Sequence, residues 1–174
     1  AFRASAEARE AIEGDDAVAV TEGEHYWLFQ PRGDASSVGL LFFPGGLVDP
    51  IAYAPLLRDV AAAGYPALLI QVPRRGIFGG ADGAEPLNRA VGATMQVAQV
   101  RLWVVAGHSR GGEIAARLAK TEASSLGGLV LSALLFVHLL GDSTVFVAFA
   151  LIFVGLAQHG IVRMESTGDD ATAA

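Results

Sequence analysis

Gly107, His108, Ser109, Arg110 and Gly111 are the residues whose types and spacing best suit chemistry, since they match the G-x-S-x-G pattern of a nucleophilic serine on a sharp turn. Four apolar residues precede the pentapeptide and a helix-compatible segment follows it, which is the strand, turn and helix context the pattern needs. A strained turn pushes the hydroxyl out of a sheet, and glycines at 107 and 111 let neighbouring backbone approach without Cβ clashes. The start of a helix also favours negative charge developing beside it. The bland rival is that Ser109 is an ordinary helix cap in a glycine-rich loop. A phosphate-binding reading is weaker: G-x-x-x-x-G-K-[ST] is absent, and no G-x-G-x-x-G follows a strand.

The elements that must position this turn are legible as alternating patterns. Residues 25–30 read as a strand, with turn chemistry at Pro31, Arg32, Gly33 and Asp34. Residues 38–43 form a continuous apolar run ended by Pro44, Gly45 and Gly46, as expected of a strand buried on both faces. Tyr53, Leu56, Leu57 and Val60 recur at helical spacing over 52–63, and a second apolar run follows at 67–72. Such alternation of strand, helix and strand implies parallel crossovers and α/β architecture. Residues 76–86 read as a glycine-rich loop, 87–99 as a helix, 102–106 as a strand, 113–120 as a helix and 129–133 as a further strand. Residues 4–13 favour a short helix.

Composition narrows the function classes. With 52% apolar and 17% charged residues the body of the chain should be ordered, in one domain over 1–174 with a peripheral helix in 1–16 and a mobile polar tail at 165–174. A net charge of −6 without a Lys/Arg cluster gives no electrostatic basis for nucleic-acid binding. The absence of cysteine excludes thiol chemistry and fits a reducing compartment, and residues 1–16 show no export pattern, so the expected location is cytoplasmic. No H-E-x-x-H or comparable spacing suggests a metal, and neither metal nor cofactor is expected.

The segments FFPGGLVDPIAYAPLLRDVAAAGYPALLIQVP and VVAGHSRGG, in this order, resemble the alpha/beta hydrolase superfamily, and more narrowly its small esterase and dienelactone-hydrolase-like members. The resemblance runs from about residue 27 to 133 and implies a three-layer sandwich with a mainly parallel central sheet. It further implies a serine hydrolase acting on a carboxylic ester or related acyl substrate. One oxyanion donor would map to Gly46 or Leu47 and the other to the Arg110 amide, although Arg110 stands where a small apolar residue is expected. The family's chain order of nucleophile, acid and base leaves His138 and His159, with Asp142, Glu165, Asp169 and Asp170, as candidates. Asp142 as orienter and His159 as general base are the choice that puts each in a loop after an apolar segment.

The spacing strains this assignment, because only 16 residues separate Asp142 from His159, where the family usually inserts a helix. His138 lies in the run LLFVHLL and reads as a packed core histidine, while His25 and His108 read as structural. Two uncharged runs, 123–141 and 143–162, fall within the length of about 17–25 residues that spans a bilayer, so a membrane hairpin is one rival for this region. Glycine and polar residues interrupt both runs, which favours strands or short buried helices instead. A catalytically inactive hydrolase fold that binds a small molecule or a protein is the other rival. Phe78, near the glycine-rich loop, reads equally as a pocket lining and as a packing residue.

Overall fold

Six strands and four helices make up the computed structural model, which describes residues 3–122 and 126–132. The strands are β1 (Val18–Glu22), β2 (Tyr26–Pro31), β3 (Val38–Phe43), β4 (Ala67–Ile70), β5 (Leu102–His108) and β6 (Leu126–Ser132). The helices are α1 (Ala6–Glu10), α2 (Ala54–Ala62), α3 (Glu85–Thr94) and α4 (Arg110–Thr121). All six strands join one sheet in the order β1-β2-β4-β3-β5-β6. β3 pairs in parallel with β4 and β5, and β5 with β6, whereas β1, β2 and β4 pair antiparallel.

Alternation along the strands splits the core in two. Trp27, Phe29, Leu40, Phe42, Leu69, Val104 and Ala106 point to one face, where Ala54, Leu57, Val60 and Ala61 of α2 cover them. Leu28, Leu41, Phe43, Leu68, Ile70, Trp103 and Val105 point to the other, under Ala90 and Ala93 of α3 and Ile114, Ala115 and Leu118 of α4. Both faces are therefore covered, which is why β3, β4 and β5 read as near-continuous apolar runs. The result is a three-layer α/β sandwich with a mainly parallel central sheet.

The helix placement follows from strand order. From β3 to β4 the chain steps one way across the sheet, and from β4 to β5 it steps back past β3; same-handed crossovers then put α2 on one face and α3 on the other. The step from β5 to β6 continues in the second direction, and α4 shares the face of α3. Ligands of open α/β sheets bind beyond the carboxyl ends of the strands that flank such a reversal, here β3 and β5.

Several boundaries differ from those the sequence suggests. β1 shows no run of strongly apolar residues, yet it pairs along its whole length with β2, Ala19 opposite Gln30 and Thr21 opposite Leu28. α3 starts at Glu85, two residues before the expected Leu87, because Pro86 falls in its first turn, where a missing N–H costs nothing. It ends at Thr94 instead of continuing to 99: the Thr94 hydroxyl donates to the Val91 carbonyl at 2.8 Å, and tight turns then bring Val97 into the core. The expected helix over 52–63 divides into a 3-10 turn at Pro50–Tyr53 and α2. The last strand starts at Leu126, through Gly127 and Gly128, whose low strand propensity hid it.

Connections at the periphery are polar. Asp15 accepts the Ala17 and Val18 amides at 2.8 and 2.7 Å and also pairs with Arg58 of α2, which ties the start of β1 to that helix. Ser5 caps α1 by accepting from Ala8 N–H at 3.1 Å. Among the described residues no helix is long and apolar enough to cross a membrane, and most of the two uncharged runs lies outside those residues.

Candidate active site

Three loops meet at this edge of the sheet: the one after β3 with Gly45, Gly46 and Leu47, the one after β4 with residues 73–80, and the turn between β5 and α4 with Ser109. Ser109 has φ 51° and ψ −120°. Those dihedrals belong to the first central residue of a type II′ turn, a position that normally requires glycine. Five non-glycine residues have positive φ among the described residues, namely Leu47, Arg74, Arg75, Phe78 and Ser109, and all five lie in these three loops. Each such residue costs about 1–3 kcal/mol and persists only where its surroundings impose it, and strain of this kind gathers at functional sites.

The glycines of the pentapeptide explain how the turn is held. A Cβ on Gly111 would stand 2.5 Å from the Pro44 carbonyl oxygen and closer still to that of Phe43. The first turn of α4 thus lies directly on the end of β3. A Cβ on Gly107 would meet the Gly112 nitrogen at 2.6 Å and, closer still, the Gly111 carbonyl. α4 therefore starts at Arg110, three residues before the expected Glu113, because steric fit overrides the poor helix propensity of Gly111 and Gly112.

Gly46 lies against Arg110: a Cβ added to it would be 3.3 Å from Arg110 Cγ. Among the described residues the Gly46 N–H forms no hydrogen bond, and the Arg110 N–H is the first of α4, without an intrahelical partner. The Leu47 N–H, by contrast, donates to the Arg75 carbonyl at 3.0 Å, which locks the β3 loop onto the β4 loop. Among the described residues the Gly46 and Arg110 amides are thus both left without a backbone partner, on loops that touch.

Behind this edge lies a part-buried polar contact that helical periodicity does not reveal. Tyr53, only 3% exposed, accepts the Gly45 N–H at 3.1 Å and meets His108 Nδ1 at 2.8 Å. Gly45 has to be glycine, since a Cβ would lie 2.5 Å from His108 Nδ1 and 3.1 Å from the Tyr53 oxygen. Burial pushes the Tyr53 hydroxyl up to about 12, with the Gly45 amide pulling it back in part. His108 is thus held against Tyr53, next to the loop after β3.

Arg110 does not extend freely into solvent. Its guanidinium donates to Asp82 Oδ1 at 3.1 Å and to Glu113 Oε2 at 2.8 Å. Arg117, two turns further along α4, donates to the Ala81 and Gly83 carbonyls at 2.6 and 2.8 Å. Together they fasten the glycine-rich loop to α4. Phe78 in that loop is 81% exposed, which rules out a core packing role, and Leu47 is 44% exposed. His25 is half-exposed beside Glu24, 3.6 Å away.

Of the residues singled out in the sequence, Gly46, Leu47, Ser109 and Arg110 come together here. Asp142 and His159 lie outside the described residues, as do His138 and the tail at 165–174. Among the described residues no group of three or more His, Asp or Glu could hold a metal ion.

The pattern of the alpha/beta hydrolase family matches residues 39–169. Similar solved structures include TT1662 from Thermus thermophilus, at 18% identity and TM-score 0.52 over 66% of this chain and 56% of that one. An esterase of the bacterial hormone-sensitive lipase family aligns at 14% identity and TM-score 0.52, over 70% of this chain and 46% of that one. An epoxide hydrolase from an endophytic Streptomyces aligns at 20% identity and TM-score 0.50, covering 67% and 37%. Identities this low support the fold alone, and the chain spans only between 37% and 56% of the lengths of these three proteins. No curated protein matches the chain.

Proposed function

Because the chain belongs to the alpha/beta hydrolase family, we propose that it is a serine hydrolase that cleaves a carboxylic ester or related acyl compound, nearest in kind to small esterases and dienelactone-hydrolase-like enzymes. The observation that carries this reading is the Ser109 backbone, at φ 51° and ψ −120°, on the turn between β5 and α4. A helix-capping serine has ordinary extended dihedrals and bonds an amide of the first turn. Ser109 does neither, so the strain lacks a capping explanation. The single-domain organisation over 1–174, and the peripheral place of residues 1–16, form part of the same proposal.

In this mechanism Ser109 Oγ attacks the acyl carbon while its proton passes to His159, held in the right tautomer by Asp142. The carbonyl oxygen gains the negative charge and accepts from the Gly46 and Arg110 amides. The Leu47 amide is left out because it is committed to Arg75 O. One well-placed donor of this kind is worth about 3–4 kcal/mol of transition-state stabilisation. Collapse of the tetrahedral intermediate expels the alcohol with the proton from His159. Water deprotonated by His159 then attacks the acyl-enzyme, and the acid leaves as Ser109 regains its proton. A small acyl substrate suffices as partner.

A fluorophosphonate probe and p-nitrophenyl acetate test this. Wild-type protein should be labelled at Ser109 and show burst release of nitrophenolate, and Ser109→Ala should abolish both. Unlabelled wild-type protein, or an undiminished burst from Ser109→Ala, would refute the serine-hydrolase reading, the first result favouring a binding module on a hydrolase fold. His159→Ala and Asp142→Asn should each lower kcat by orders of magnitude, with the loss about 10⁴-fold for a removed acid in a comparable triad.

A further inference from the structure

The part-buried contact between Tyr53 and His108 joins the two loops that the proposed reaction must keep in register. One end of it is the Gly45 N–H, immediately before the Gly46 amide; the other is the ring of His108, immediately before Ser109. We infer that Tyr53 and His108 are positioning residues that set the distance between the Gly46 amide and the Ser109 hydroxyl through the Tyr53 hydroxyl, which accepts from Gly45 N–H and is hydrogen-bonded to His108 Nδ1. This inference deepens the serine-hydrolase reading and rests on it.

The Tyr53 hydroxyl has two partners. Gly45 N–H can only donate, so the Tyr53 oxygen accepts from it at 3.1 Å, and the same hydroxyl is hydrogen-bonded to His108 Nδ1 at 2.8 Å. With its hydroxyl pushed up to about 12 by burial, Tyr53 keeps its proton. Packing holds the phenol: its ring lies 4.9 Å from that of Phe42 on β3, and Tyr53 closes the 3-10 turn that enters α2. The missing Cβ of Gly45 leaves room for both partners. β3 and β5 already pair side by side, Phe43 opposite Gly107, so the strand ends are fixed by the sheet. Beyond those ends the ladder between β3 and β5 stops, and the contact through Tyr53 continues the cross-connection outward, two residues past Phe43 to Gly45 and one past Gly107 to His108.

The test removes the hydroxyl alone. Tyr53→Phe in the full chain should lower kcat for p-nitrophenyl acetate by about 10- to 100-fold, less than the loss of an oxyanion donor itself, because a misplaced amide still interacts. KM should change little, and affinity for a trifluoromethyl ketone, which forms an oxyanion on binding, should fall in step with kcat. His108→Leu should show the same loss, and Tyr53→Phe combined with His108→Leu should lose little more than either. His108→Asn restores a hydrogen-bonding group near the Nδ1 position and should retain more kcat than His108→Leu, a comparison that stands even if Tyr53→Phe fails to fold. Wild-type kcat and ketone affinity in Tyr53→Phe, with Ser109→Ala inactive, would overturn this inference alone. A His108→Asn variant no better than His108→Leu would also overturn it. Activity persisting in Ser109→Ala would instead overturn the reading beneath it.

Discussion

Replacing Ser109 by glycine should make the protein more stable while removing the proposed nucleophile. The residue holds φ 51° and ψ −120°, a conformation that costs a residue with a Cβ about 1–3 kcal/mol. Glycine relieves that cost but returns about 0.4–1 kcal/mol through the greater freedom of the unfolded chain. The balance is a gain of about 1 kcal/mol over an alanine at the same position, estimated by subtracting one range from the other. Ser109→Ala is the proper reference, because it deletes the hydroxyl and keeps the Cβ. For a chain of 174 residues a gain of this size corresponds to about 2–4 °C in Tm. Urea titrations of wild type, Ser109→Ala and Ser109→Gly, followed by far-ultraviolet circular dichroism, would measure it as a shift in midpoint at constant slope. A Ser109→Gly midpoint equal to or below that of Ser109→Ala would refute the strain argument, and with it the main reason for treating Ser109 as more than a cap.

Gly111→Ala should be destabilising although alanine is the better helix former by about 1 kcal/mol, because the new Cβ meets the Phe43 and Pro44 carbonyls; a net loss of about 1–3 kcal/mol by urea unfolding is expected, and a gain would contradict the backbone contact. Arg110→Ala should cost less than about 1 kcal/mol, since both ion pairs are well exposed, and the difference from wild type should shrink in high salt, as melting at two ionic strengths would show. The amides of Val18 and Ala17, and then Arg58, hold the Asp15 carboxyl below its ordinary value. Its contribution is therefore complete above the unfolded value of about 3.9 and is lost as pH falls through the depressed native one. Asp15→Asn should accordingly flatten the acid limb of a stability profile measured from pH 7 downward, and an unchanged limb would count against this. Asp59, raised by burial, works in the opposite sense.

The parts of this fold that the sequence discloses are those whose signal is local and strong. β3 and β4 are uninterrupted apolar runs, the first closed by Pro44 and the second by Gln71 shortly before Pro73, and Gly64 closes the helix between them, so both their type and their burial could be read directly. β1 could not, because Val18, Ala19 and Val20 carry little pattern of their own and become a strand through pairing with β2. The Ser109 turn was legible because its glycines answer a steric need inside five residues. Tyr53 was legible only as a core residue on a helical stripe; its hydroxyl finds His108 across 55 positions, and no periodicity encodes such a contact. The hydrogen bond of the Leu47 N–H likewise depends on a carbonyl at Arg75, supplied by a loop whose left-handed residues composition does not announce. For Asp142 and His159, chain order and loop position are the whole of the argument.

The division of the core has a practical consequence in spectroscopy. The chain has two tryptophans, and they point to opposite sides of the sheet: Trp27 under α2, Trp103 under α3 and α4. Each indole is therefore an optical reporter for one layer. Trp103→Phe leaves emission from the α2 side and Trp27→Phe from the α3 and α4 side, so stopped-flow refolding of the two single-tryptophan proteins would time the closing of each layer separately. Trp27→Phe carries little penalty in hydrogen bonding, because the Trp27 indole N–H is buried without a partner among the described residues. Coincident traces would mean that the sheet acquires both coverings in one cooperative event; separated traces would show which helix docks first.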